Sequence, residues 1–235
     1  MPTIDLLSGG AAKGLVSALQ ARFLAQTGFG ITGSFNAVGM MKDQLLAGAA
    51  CDVVILTESL IRQLGADGHV VVGSEQPLGL VKTGIAVKEG AALPPLANAD
   101  QLRSTLESAT AIYFPDPVKA TAGIHFMKVL RELGIDTALA GRLRPCPNGA
   151  AAMQALTQAQ EPDAIGCTQV SEIIFAPGVQ LAGNLPKAFE LATVYSAAVC
   201  TRAAHPQAGA ALIELLTSQE AAALRSAGGF ETVAG

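Results

Sequence analysis

The sequence predicts an α/β protein of two lobes, each a mixed sheet flanked by helices, with a two-strand hinge between them. Three observations carry this. Residues 4–64 alternate short apolar strands with amphipathic helices, the βαβαβ grammar of a parallel sheet. The same alternation returns over residues 99–167. Two longer apolar runs, 78–87 and 192–201, stand where the chain would cross between lobes and come back.

The elements follow in order. Ile4 to Leu7 is a strand, and Gly9-Gly10 breaks it. Ala11 to Gln26 is a helix with Leu15, Leu19 and Phe23 on one face. Ile31 to Phe35 is the second strand, Val38 to Leu46 a helix stopped by Gly48, and Asp52 to Leu56 a buried strand. Thr57 caps a helix that turns Leu60, Ile61 and Leu64 inward. After the crossing strand Leu78 to Val87, Pro94-Pro95 marks a loop. Then come helix Ala99 to Leu106, strand Ala111 to Phe114, helices Ala122 to Leu133 and Gly149 to Gln158, and strand Ala164 to Cys167. Ala192 to Thr201 is the return crossing, and helices Pro206 to Leu216 and Ser218 to Ala227 finish the chain. The first lobe is therefore discontinuous, 1–82 plus 195–235, and the second is 83–194. A cleft between two such lobes is the expected ligand site, entered and left by hinge closure.

Composition narrows the function. The 235 residues are 50% hydrophobic and 14% charged, with a net charge of -4. No basic stripe points to nucleic acid and no polybasic run to a membrane surface. No apolar stretch reaches the roughly 18 residues of a membrane span without a charge. Met1-Pro2-Thr3 leads directly into the first strand, so the expectation is a cytoplasmic chain, or a periplasmic one from which a signal peptide was removed. Of the four cysteines, Cys51, Cys167 and Cys200 lie in or beside apolar runs and read as buried free thiols. Cys146 falls in the loop Arg144-Pro145-Cys146-Pro147. None forms a C-x-x-C pair or stands at metal spacing with a histidine, so neither metal nor cofactor is expected.

Four segments share one design, in which a strand or loop ends, small residues follow and a helix begins. They are Ser8-Gly9-Gly10-Ala11-Ala12-Lys13, Ser34-Phe35-Asn36-Ala37-Val38-Gly39, Lys119-Ala120-Thr121-Ala122-Gly123 and Pro147-Asn148-Gly149-Ala150. Ordinary βα loops also favour Gly, Ser and Asn. Two such turns in each lobe, however, would present free backbone N–H groups and positive helix ends to a compact anion.

The run Leu-Ser-Gly-Gly-Ala-Ala-Lys at 7–13, Ser-Phe-Asn-Ala-Val-Gly at 34–39 and Ala-Gly-Ala-Ala-Cys-Asp-Val-Val-Ile-Leu at 47–56 resembles the molybdate-type solute-binding proteins of ABC transporters. So do Asp116-Pro117, Thr121-Ala122-Gly123-Ile124 and the terminal Leu-Thr-Ser-Gln-Glu-Ala-Ala. The resemblance covers essentially the whole chain and implies the type II periplasmic-binding-protein fold. It also implies a monomer, with a transporter permease as partner if the chain is exported. In that family two Ser hydroxyls, two second-lobe amides and a Tyr hydroxyl hold the oxyanion. The resemblance sets Ala11 and Val38 at the Ser positions, Ala122 and Gly149 at the amides, and Gln169 at the Tyr. Backbone recognition carries over and the hydroxyls do not.

Other polar residues accompany these positions. Ser8, Ser34 and Asn36 stand at first-lobe strand ends, Lys13 in a first helical turn, and Lys119 and Thr121 before a second-lobe helix. Asn148 opens another helix, and Gln169 and Ser171 follow a strand. Lysine attracts a carboxylate while Ser, Asn and Gln orient it, which suits a ligand richer in carboxylates than a tetrahedral oxide. The expected function is therefore binding of a small oxyanion or polycarboxylate. The alternative is a cofactor-free isomerase, because aconitate isomerase shares this family frame. Such a reaction needs an allylic proton carrier, with Lys13 and Lys119 as candidates and Glu172 behind them. An intracellular sensor is a third class, though no helix-turn-helix is visible.

Overall fold

A computed structural model describes residues 1–233. In chain order it holds β1 (Thr3–Gly9), α1 (Lys13–Thr27), β2 (Gly30–Asn36), α2 (Val38–Leu46), β3 (Val53–Thr57), α3 (Glu58–Ala66) and β4 (Gln76–Lys88). Then come α4 (Ala99–Ser108), β5 (Ile112–Pro115), α5 (Thr121–Glu132), α6 (Asp136–Leu139), β6 (Leu143–Cys146), α7 (Gly149–Gln158), β7 (Ile165–Gln169), α8 (Val170–Phe175) and β8 (Val179–Asn184). β9 (Ala192–Val199), α9 (Pro206–Thr217) and α10 (Ala222–Ala227) close the chain.

The chain forms two compact units, one of Met1–Val81 with Thr193–Gly235 and one of Lys82–Ala192. In the first, β1 pairs in parallel with β2 and β3, and β3 pairs antiparallel with β9. β3 is buried at every residue, as its unbroken Val-Val-Ile-Leu run requires of a central strand. Ile4, Leu6, Leu19, Phe23, Leu212 and Leu216 complete that core. Asp52 is 2% exposed and ties three elements together. Its Oδ2 accepts the Asp5 N–H at 2.8 Å, and its Oδ1 accepts the His205 N–H, just before α9, at 2.7 Å.

In the second unit β4 pairs antiparallel with β7 on one side and β8 on the other, with an irregularity in the β8 register between Ile85 and Ala86. β5 pairs in parallel with β7 and β6. Ile85, Phe114, Phe126, Leu130 and Cys167 pack one core, and Ala86, Met153, Leu156 and Ile173 another.

Several expectations need correction. The Arg144-Pro145-Cys146 segment, read as loop, is the strand β6, in register with Tyr113 to Pro115 of β5. It ends the order of strands in its unit, where a proline costs no ladder bond on the open side. β7 runs on to Gln169, past the expected end at Cys167, and α8 and β8 follow unannounced. Lys13 begins α1 only after a 3-10 turn over Gly10–Ala12. Thr57 is the N-cap of α3 but makes no side-chain capping bond, since its Oγ1 lies 3.1 Å from Ser59 Oγ. The reading of Cys51, Cys167 and Cys200 as buried free thiols holds. Among the described residues no helix is long and apolar enough to cross a membrane.

Candidate functional site

In the first unit the parallel register sets Gly9 beside Asn36, so the loops after β1 and β2 leave the same end of the sheet. Carboxyl ends of parallel strands are where α/β sheets bind ligands. Ser8 is fully buried and its hydroxyl donates to the Gly9 carbonyl at 2.8 Å. Gly9 is closely overlain, because a Cβ there would lie 2.8 Å from Val38 Cγ1 and 3.2 Å from Tyr195 Cε1. Asn36 Oδ1 accepts the Ala37 N–H at 2.9 Å and so shapes the entry to α2. Ala11 and Val38 are buried alkyl groups, and Gly10 and Lys13 are half-buried. Ser34 is exposed and paired with Leu7, set back from the strand end. Tyr195, buried on β9, is a neighbour that sequence reasoning missed.

In the second unit Asp116 Oδ1 accepts the N–H groups of Val118 at 2.7 Å and Lys119 at 2.8 Å, folding the loop that leads to Thr121 and the buried Ala122 in α5. His125, further along α5, is bonded through Nε2 to the Phe189 carbonyl at 2.8 Å, the bond of a structural histidine. Asn148 caps α7 by accepting the Ala151 N–H at 2.8 Å.

Gly149, the first residue of α7, faces a carboxylate of the chain itself. A Cβ there would lie 1.9 Å from Glu172 Oε2 and 2.4 Å from Thr168 Oγ1. Thr168 donates to Glu172 Oε2 at 2.5 Å, and the Gln169 backbone N–H bonds the same carboxylate. Because Gln169 is the N-cap of α8 and Glu172 its third residue, this is the reach-back of a capping box. Burial pushes the Glu172 carboxyl up to about 6, against the pull of those two hydrogen bonds. A carboxyl that titrates near neutrality can both give and take a proton.

Four other buried polar atoms of this unit lack partners within the protein. Gln169 is directly opposite Thr83 across the β4–β7 ladder. Gln169 is 2% exposed, Thr83 1% and Ser171 4%. Yet neither polar atom of the Gln169 carboxamide, nor Thr83 Oγ1, nor Ser171 Oγ, has a hydrogen-bond partner in the protein. An unmet buried polar atom costs about 1–3 kcal/mol, so these four atoms are candidates for contact with a ligand. Gln169 and Ser171 were legible as candidates; Thr83 was not, since only the strand register brings it there.

The family model of bacterial extracellular solute-binding proteins matches residues 4–231. An aconitate isomerase of Pseudomonas sp. is 28% identical over 229 residues, covering 94% of this chain and 84% of that protein. Among solved structures, the periplasmic molybdate-binding protein of Azotobacter vinelandii aligns with a TM-score of 0.83 at 18% identity, over 98% of this chain and 100% of the other. The sulfate-binding protein of Mycobacterium tuberculosis aligns with a TM-score of 0.76 at 18% identity, over 99% and 88%. Identities this low establish the fold, which is the type II periplasmic-binding-protein fold that the motifs implied.

Proposed function

The chain belongs to the bacterial extracellular solute-binding proteins, and from that premise we propose that its ligand is a small polycarboxylate anion. The observation that carries the reading is the unpartnered group of Thr83, Gln169 and Ser171. Carboxamide and hydroxyl groups orient carboxylates by hydrogen bonds. Buried alkyl groups at Ala11 and Val38 offer a tetrahedral oxide nothing. A thermal-shift panel of molybdate, tungstate, sulfate, citrate and the two aconitates tests this. A ligand present at 100 times its dissociation constant adds about 2.7 kcal/mol of stability, a shift that is easily read. Stabilisation by molybdate with none by any polycarboxylate would sink the proposal.

A second reading, isomerisation of an unsaturated tricarboxylate, is favoured by Glu172. Its buried carboxyl, raised to about 6, is a candidate allylic proton carrier. The curated relative of that activity supports the same reading. In it Glu172 takes a proton from the carbon next to one carboxylate and returns one at the far end of the allylic system. Proton NMR of trans-aconitate with the protein tests turnover. No appearance of the cis isomer leaves binding alone.

A further inference from the structure

The carboxamide of Gln169 states what its ligand must bring. It has a donor, Nε2, and an acceptor, Oε1, and both are buried without a partner. Exchanging the two atoms by a flip of the amide changes nothing, because both are unmet. A tetrahedral oxide without hydrogens, or a fully ionised carboxylate, supplies acceptor oxygens only. It would satisfy Nε2 and the hydroxyls of Thr83 and Ser171 and leave Oε1 facing lone pairs. Filling Oε1 requires a hydrogen-bond donor, which a polycarboxylate without nitrogen supplies as an O–H, and filling Nε2 requires an acceptor oxygen beside it. A site built around a donor–acceptor pair rejects ligands that lack one half of it.

Resting on the polycarboxylate reading above, we infer that the ligand is a carboxylate presenting an O–H beside an acceptor oxygen to Gln169. Two sources share that chemistry, an alcohol next to a carboxylate and a carboxyl that keeps its proton when bound. The titratable groups on β7 and the elements packed around it are Cys167 on β7, Glu172 on α8, Lys82 and Lys88 on β4, Tyr113 on β5, and His125, Lys128, Arg131 and Glu132 on α5; α7 carries none. Lys82 pairs with Glu190 at 3.5 Å, Lys128 with Glu132 at 3.5 Å, and His125 is engaged with the Phe189 carbonyl.

Calorimetry of the full chain with matched probes tests the inference. The pairs are citrate with tricarballylate, and malate with succinate, each pair differing by one hydroxyl; molybdate and sulfate are the acceptor-only controls. If an alcohol is read, the hydroxylated member binds at least tenfold tighter at pH 8. If a protonated carboxyl is read, both members bind with uptake of about one proton, seen as a buffer-dependent heat, and weaken as pH rises. That uptake persists in Glu172→Gln, which places the proton on the ligand. Gln169→Leu brings the members of each pair to similar affinity in the first case and abolishes the proton uptake in the second. Equal affinity within each pair at pH 8 without proton uptake overturns the inference and leaves polycarboxylate binding standing. No binding by any polycarboxylate overturns both. The wild-type comparison decides even if the leucine variant fails to fold.

Discussion

Thr168 donates a 2.5 Å hydrogen bond to Glu172, whose carboxylate lies where any side chain on Gly149 would have to go. The helix end that sequence reasoning offers to a ligand thus already faces a carboxylate of the chain.

Stability should record the Glu172 carboxyl. Its folded value, about 6, lies above the ordinary 4.5, so the folded chain holds the proton more tightly than the unfolded chain. Stability therefore falls as pH rises from 4.5 to 6, and the loss is complete above that window. Glu172→Gln keeps an acceptor for Thr168 and removes the charge. Urea denaturation is expected to show the variant gaining about 1–2 kcal/mol on the wild type at pH 8 and losing that advantage at pH 4.5. Parallel curves for the two proteins would refute the account.

Gly149→Ala drives a methyl group into Glu172 and Thr168. Overpacking of this kind costs about 1–3 kcal/mol. In a Glu172→Ala background the cost should shrink, because the obstructing carboxylate is gone. A double-mutant cycle in urea reads the coupling, and simple additivity would mean that the two residues do not meet.

Asp52→Asn turns an amide toward one of two N–H donors. Asp5 and His205 both need an acceptor there, and a rotated carboxamide serves only one. The expected loss is about 1–3 kcal/mol, read as a lower urea midpoint. Asp52→Ala should lose more, since both donors are then unmet.

Cys200 Sγ lies 3.3 Å from Cys51 Sγ across 149 residues of sequence. Its hydrogen bond to Cys51, and then burial, hold the Cys200 thiol protonated well above the usual range, so reaction with oxidised glutathione should be slow. Each disulfide formed converts one oxidised glutathione to two reduced ones and makes the chain lighter by two hydrogens, a change mass spectrometry detects and Cys51→Ser abolishes. Closing so long a loop should add about 5 kcal/mol in the chain-entropy account.

Most of the first unit was legible because its strands and helices carry clean apolar periods, Val53 to Leu56 above all. The second unit was less so. Pro145 and the charged Arg144 disguised β6, which pairs on one side only. Val170–Phe175 is too short for a helical period to show. Ala11, Val38 and Gln169 could be placed by resemblance to known motifs. Thr83 could not, because nothing local marks it. Its role comes from an antiparallel register with a strand some 80 residues away, and long-range pairing leaves no trace in a window of neighbours. Glu172 was visible only as a weak candidate, since its tuning depends on Thr168, Gln169 and Gly149 meeting in space.

The discontinuity of the first unit bears on how the protein is made. Lys82–Ala192 is one uninterrupted stretch and has all its strands to hand as soon as it leaves the ribosome. The first unit must wait. Until Thr193 onward has been synthesised, β3 shows a bare edge where β9 belongs, and that edge is a run of valine, isoleucine and leucine. The strands β1 to β3 thus emerge before the second unit and are finished after it. During that interval they are the segment most in need of a chaperone.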